Sequence, residues 1–207
     1  MDNANFDIVV IGSGVIGHSI AFRLKQDAPH LKIAVLGDPV NSLQASRAAA
    51  GMLAPFCECD KADRFFGFCR DSLDKFSKFL AELVSVSGVP VHFSAAGSLM
   101  PSSSYRETWE ERKAFFTREN IPHEIWSGEK VRQKAPYLSK DCGEVMWVGE
   151  GQVNNRQMHD SLMQASRKLG VHVLEANVSG FIRKSSAITS AVTDSGNIVG
   201  QKFVLAS

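Results

Sequence analysis

Gly12-Ser13-Gly14-Val15-Ile16-Gly17 sets three glycines at the spacing G-x-G-x-x-G. The motif follows a β-branched run, Asp7-Ile8-Val9-Val10-Ile11, and opens a segment with helical periodicity, and that context gives it chemical meaning. Gly12 allows a tight turn out of the strand. Gly14, with no Cβ, lets the backbone approach a pyrophosphate, and Gly17 lets the helix pack closely on the strand. Free N–H groups and a partial positive charge at the helix N-terminus, where Val15 and Ile16 stand, then favour the phosphates. The spacing points to a dinucleotide and by itself does not separate FAD from NAD. An acidic residue near the end of the second strand normally binds the adenosine ribose, and Asp38 lies at about the right distance, roughly 20 residues on. Gly37 occupies the position directly after the strand, so Asp38 either reaches the ribose from one place later or opens a turn with Pro39. No Lys or Arg occurs between Lys32 and Arg47, which leaves nothing nearby to meet the 2′-phosphate of NADP.

The elements that must position these residues form a βαβ unit. A buried parallel strand covers residues 7–11. A helix from about Val15 to Gln26 carries Ile16, Ile20 and Leu24 on one stripe, and a second strand runs from Lys32 to Leu36. Val40 to Pro55 reads as small and irregular. Residues 62–87 predict one long amphipathic helix with Phe65, Phe68, Cys69, Leu73, Phe76, Phe79, Leu80 and Leu83 as its core stripe. Further helices are expected over 105–118, 129–134 and 156–169, the last closed by Gly170. Strands are expected at 91–93, 98–100, 144–148, 171–175, 178–183, 187–193 and 203–206. Asp194-Ser195-Gly196-Asn197 supplies a hairpin turn.

Composition narrows the classes. Lys and Arg number 23 against 22 Asp and Glu, so a net charge of +1 gives no electrostatic case for nucleic acid or an anionic membrane. No apolar run approaches the roughly 20 residues of a membrane span. Met1 to Asn5 lacks the basic region of a signal peptide, so the cytoplasm is the expected compartment. Cys57, Cys59, Cys69 and Cys142 lack paired zinc spacing; the Cys57-x-Cys59 pair reads as reduced, packed thiols rather than a redox or metal site. His18 reads as a surface or packing residue, and Glu58 and Asp60 as acidic residues beside a substrate entrance. No catalytic residue and no metal site can be named.

The stretch Ala45-Ser46-Arg47-Ala48-Ala49-Ala50-Gly51-Met52-Leu53-Ala54-Pro55 resembles the loop after strand two in the D-amino acid oxidase family of FAD enzymes, most closely its glycine oxidase branch. The likeness continues through Glu58-Cys59-Asp60 and Phe65-Phe66-Gly67-Phe68, and resumes at Val153 to Gly170, Val178, and Phe203 to Ser207. It implies FAD as the cofactor, with Val15 and Ile16 against the pyrophosphate and Gly37 and Asp38 at the ribose. Ala45, Ser46, Ala50, Gly51 and Met52 would contact the pyrophosphate end and the flavin, and Val178 the adenine through its backbone. Small residues suit that loop, because backbone amides must come close to the flavin. Arg47 stands where the family usually has Ser or Thr, either reaching a phosphate or facing water, and Gly37 stands where a Glu is usual.

The resemblance implies an α/β fold: a Rossmann-like FAD-binding domain, discontinuous over 1–88 and 145–207, interleaved with part of an α+β substrate domain over 89–144. It implies oxidation of a small amine or amino acid by hydride transfer to flavin N5, giving an imine and then an oxo acid and ammonia. Family members are nearly twice as long as this chain, whose last residues coincide with a strand that runs on in the family. A truncated chain, or one completed by a second copy or another chain, is therefore expected. The competing readings are a flavin-binding subunit with no turnover of its own and, more weakly, an NAD-dependent dehydrogenase.

Overall fold

A computed structural model of the chain describes residues 5–38 and 45–207. Pro39, the first part of the irregular stretch from Val40, and Met1 to Ala4 lie outside the described residues. The chain begins β1 (Asn5–Ile11), α1 (Val15–Asp27), β2 (Ile33–Leu36), α2 (Ala45–Ala48), β3 (Met52–Leu53), α3 (Pro55–Glu58) and α4 (Arg64–Ser87). It continues through β4 (Phe93–Ser94), β5 (Ser98–Pro101), α5 (Trp109–Arg118), β6 (His123–Trp126), α6 (Gly128–Lys134), β7 (Val145–Val148) and β8 (Gly151–Val153). It ends with α7 (Asn155–Lys168), β9 (His172–Leu174), β10 (Val178–Lys184), β11 (Ala187–Thr193) and β12 (Gly196–Leu205). Two compact units result, one from Met1–Ala50, Leu80–Val91 and Asn154–Ser207, the other from Gly51–Phe79 and His92–Val153.

The first unit is built on a six-stranded sheet in the order β10-β11-β12-β1-β2-β9. β1 pairs in parallel with β12 on one side and β2 on the other, and β9 continues the parallel part beyond β2. β11 and β10 add an antiparallel extension. Parallel strands are covered on both faces, and their β-branched composition reflects that. Alternation divides the side chains accordingly. Val9, Ile11, Ala34 and Leu36 join Phe6 and Ala191 in one cluster, while Val10, Ile33 and Val35 join Ala21 and Val171 in another. The α/β, Rossmann-like architecture expected from the motif context is the one that forms.

The register of α1 differs from the predicted stripe. The helix buries Gly17, His18, Ala21, Phe22 and Lys25, while Ile20 and Leu24 are only partly buried and Ile16 is 62% exposed. The small residues Gly17 and Ala21 allow the close approach, so the contact ridge runs one position away from the largest aliphatics. Lys25 is tolerated there because its ammonium donates to the carbonyls of Pro29 (2.6 Å) and Leu31 (3.0 Å) just past the helix end.

The second unit holds two three-stranded antiparallel sheets, β3-β8-β4 and β5-β7-β6. Its main core joins Phe56, Phe66, Met100, Trp109, Phe115 and Phe116, with Ile121, Met146 and Val148. Phe65 and Phe68, expected in the core stripe of the long helix, are 66% and 70% exposed. Phe66 takes the buried place instead. It lies seven and fourteen residues before Leu73 and Leu80, so the true stripe is set by that repeat and the two flanking phenylalanines fall off its edge. The contrast predicts unequal costs. In urea titration, Phe65→Ser with Phe68→Ser should change stability by about 1 kcal/mol or less, whereas Phe116→Ala, at a fully buried site, should cost about 3–5 kcal/mol.

Candidate dinucleotide site

Three parallel strands of the first unit end side by side. The Gly12 N–H donates to Leu36 O (2.8 Å) and the Ala206 N–H to Ile11 O (2.7 Å), tying the ends of β1, β2 and β12 together. Just past them lies a cleft of about 550 Å³. Gly12, Ser13, Gly14, Ile16, Gly37 and Asp38 line it from the first two strand ends. Ala45 and Ser46 of α2 close one side, and residues 205–207 another. The chain leaves β1 toward β2, while β12 occupies the opposite flank of β1. The cleft is thus at the carboxyl ends of the strands where the order reverses, the place where open α/β sheets take ligands.

Local geometry explains the glycines. At Gly12 φ is +117°, and an added Cβ would sit 2.4 Å from Ala206 O. At Gly37 φ is +150°, and a Cβ would lie 2.7 Å from Ser13 Oγ and 2.9 Å from Ser13 N. Position 37 therefore takes a glycine for a steric reason: the glycine-rich turn leans on it. Gly14 caps α1 without a side-chain hydrogen bond, and the first turn of α1 carries no acidic residue that would repel an anion. Ser46 is drawn in from α2. Its Oγ accepts from the Val15 N–H (2.9 Å), and its carbonyl accepts from Asn155 Nδ2 (2.8 Å).

Of the residues singled out in the sequence, Gly12, Gly14, Ile16, Gly37, Asp38, Ala45 and Ser46 come together around this cleft. Val15 contributes through its bond to Ser46, and Gly17 packs beneath the turn, where a Cβ would meet Gly12 O at 1.9 Å. Arg47 is directed elsewhere: its Nη1 donates to Asp160 Oδ1 at 2.9 Å. Ala50 is exposed and is the last residue of the first segment of the first unit. Gly51 and Met52 belong to the second unit, with Gly51 O accepting from the Val153 N–H at 2.9 Å and Met52 59% exposed. Val178 opens β10 and packs beside the Phe6, Val9 and Ile11 cluster. In the second unit, Glu58 lines an apolar groove of about 340 Å³ that Phe65 and Phe68 border. Cys57 and Cys59 are free thiols there. Burial and the Glu150 carboxylate push the Cys57 thiol well above the ordinary range, and burial raises Cys59 as well. Neither is primed as a nucleophilic thiolate.

Two histidines that sequence reasoning did not connect lie beneath the glycine-rich turn. His159, on α7, is fully buried, and its Nε2 stands 2.7 Å from Ser13 O. A carbonyl only accepts, so Nε2 carries the proton. Nδ1 then accepts from Arg47 Nη1 at 3.4 Å. His18, also fully buried, lies edge-on to His159 at 5.7 Å between ring centroids. His18 Nδ1 is 3.2 Å from Ser166 Oγ, and its Nε2 has no partner among the described residues. Desolvation first, then the nearby His159 and Arg167, lower the His18 pKa from 6.5 to about 4. The signal was present in α7. His159, Leu162 and Ser166 recur at helical spacing on its buried face, so two polar residues stand where an apolar stripe is the norm.

The model of the FAD dependent oxidoreductase family matches residues 7–207. The chain belongs to that family. Among curated relatives, the bifunctional protein ThiO/ThiG of Synechocystis sp. is 29% identical over 210 residues, covering 97% of this chain and 29% of that protein. Glycine oxidase of Bacillus subtilis is 25% identical over 205 residues, covering 98% of this chain and 54% of its own. The crystal structure of glycine oxidase from Geobacillus kaustophilus superposes with a TM-score of 0.89 at 22% identity, over 98% of this chain and 55% of that one. The chain thus spans about half the length of the glycine oxidases it matches, and less than a third of the bifunctional protein. FAD is the family's cofactor, and the residues of the cleft fit it: glycine backbone and a helix start with no acidic residue in its first turn suit the phosphates, and the Asp38 carboxylate past the second strand suits a sugar hydroxyl. Among the described residues no helix is long and apolar enough to cross a membrane.

Two outcomes are expected. Gly37→Ala should destabilise the chain by about 1–3 kcal/mol in urea titration, since both the positive φ and the Ser13 contact oppose a Cβ. For His18, the unfolded chain binds a proton below pH 6.5 and the folded chain only below about 4, so stability falls as pH drops through that window. Relative to His18→Leu, the wild type should lose roughly 3 kcal/mol between about pH 7 and pH 4 in urea titrations, with no further difference below that.

Proposed function

We propose that this chain is an FAD-dependent oxidoreductase that oxidises a small amine or amino acid of the glycine type. The observation that carries the reading is the cleft beyond β1, β2 and β12, in a chain whose family is defined by FAD dependence. When bound, FAD supplies a hydride acceptor at N5 for the α C–H of a neutral amine, and water hydrolyses the resulting imine to an oxo acid and ammonia. The chain's own part is to bind and orient. The backbone around Gly12 and Gly14 and the start of α1 hold the pyrophosphate, with Ile16 beside it. Asp38 accepts from the adenosine ribose, the backbone of Val178 meets the adenine, and Ala45 and Ser46 close the phosphate end. The division into an FAD-holding part, 1–88 and 145–207, and a substrate part, 89–144, is proposed with it. A small amino acid substrate agrees with the glycine oxidases that the chain resembles.

The purified chain should take up FAD and turn yellow, and glycine or a similar amine should bleach the flavin anaerobically. Uptake without bleaching supports the alternative of a flavin-holding chain that turns over only with further sequence or a partner. Failure to bind FAD at all sinks both. Asp38→Ala should weaken FAD by about tenfold in a fluorescence titration, the cost of one ribose hydrogen bond to a charged group.

A further inference from the structure

The Ser13 carbonyl sits in the middle of the glycine-rich turn and is directed at the buried ring of His159, 2.7 Å away. The peptide that carries it is the one joining Ser13 to Gly14. A trans peptide is planar, and its C=O and N–H point in opposite directions. Whatever holds the Ser13 carbonyl therefore also aims the Gly14 N–H, and Gly14 borders the cleft. The hold is itself directed. Arg47 can only donate, and its Nη1 faces Nδ1 of the imidazole at 3.4 Å, which leaves the proton on Nε2, where the carbonyl needs it. Arg47 is fixed in turn by Asp160 at 2.9 Å, the residue after His159 on α7. On the other side Ser13 is pressed against Gly37. Ser13 is thus met at its carbonyl by His159 and at its side chain and N–H by Gly37.

We propose that His159 is the positioning residue of the phosphate-binding turn: by accepting from Arg47 and donating to Ser13 it turns the Gly14 N–H toward the pyrophosphate of the bound dinucleotide. The inference rests on the FAD reading and names a residue of that same site. It gives an arginine at position 47 a role in the turn without a direct phosphate contact, and it explains why a polar ring is buried on the apolar face of α7.

Three variants of the full chain separate this role from simple packing. Gln at 159 places an amide N–H near the position of Nε2, Asn places its amide near Nδ1 and short of Ser13, and Leu supplies bulk with no donor. FAD affinity is read by flavin fluorescence, thermal stability by circular dichroism, and the imidazole tautomer by 15N NMR. His159→Gln should bind FAD within about threefold of the wild type, while His159→Asn and His159→Leu should bind about tenfold more weakly, the scale of one oriented hydrogen bond. The 15N spectrum should show Nε2 protonated and Nδ1 bare, and Arg47→Met should raise the Nδ1–H form. If all three variants bind FAD like the wild type, or lose affinity only in proportion to lost stability, the positioning role is wrong. A ring protonated on Nδ1 alone refutes it too, and if His159→Leu fails to fold, the Gln and Asn pair decides. A wild-type chain that takes up no FAD overturns the functional reading and this inference together, whereas FAD uptake indifferent to residue 159 overturns only this inference.

Discussion

A carbonyl turned away from water must be met by a donor, and in the turn between β1 and α1 that carbonyl belongs to Ser13. Much of the first unit is arranged around this requirement. α7 is placed so that an imidazole reaches the carbonyl, and α2 brings Arg47 to the far side of the ring. The strand after α1 is followed by a glycine, which leaves Ser13 room. Segments far apart in sequence thus converge on one peptide group. The glycines of the fingerprint make the turn sterically available, and the side chains around it choose one orientation.

The second unit meets a similar requirement with a carboxylate. Glu150 is 3% exposed, and its Oε1 accepts from the N–H groups of Phe56 (2.6 Å) and Cys57 (2.9 Å). α3 is a single turn beginning at a proline, too short to be stable on its own account. The acceptor from beside β8 satisfies its opening N–H groups. Burial first, and this carboxylate after it, raise the Cys57 thiol, so the contact that anchors the turn also helps keep the thiol protonated.

Sequence made the β1–α1–β2 unit legible because three signals coincide there: β-branched strands, glycine spacing, and the helical periodicity that follows the glycines. The small-residue loop at 45–55 then favoured FAD over NAD, in agreement with the family to which the chain belongs. Legibility ended where three-dimensional neighbours decide. The ridge of α1 was assigned to Ile16, Ile20 and Leu24, whereas close packing selected Gly17 and Ala21. In α4, periodicity was read from the wrong phenylalanines, because several fit a loose stripe and only packing distinguishes Phe66 from Phe65 and Phe68. β6 and β8 went unread, being short strands in which a polar residue or a glycine hides the alternation. The partnership of His18 and His159 crosses well over a hundred residues, and no local pattern announces it.

The crowding at Ser13 also bears on how such a site can change over time. Positions 13, 37, 47 and 159 do not contribute independently, since each sets the space or the hydrogen-bond partner available to another. Residues in direct contact commonly show non-additive effects. An acidic residue introduced at 37 alone would displace the turn before it could help a ribose. The same residue becomes acceptable only after Ser13 and its histidine support have shifted. Whether a side chain can be accommodated at 37 therefore depends on the order in which substitutions arrive at these four positions.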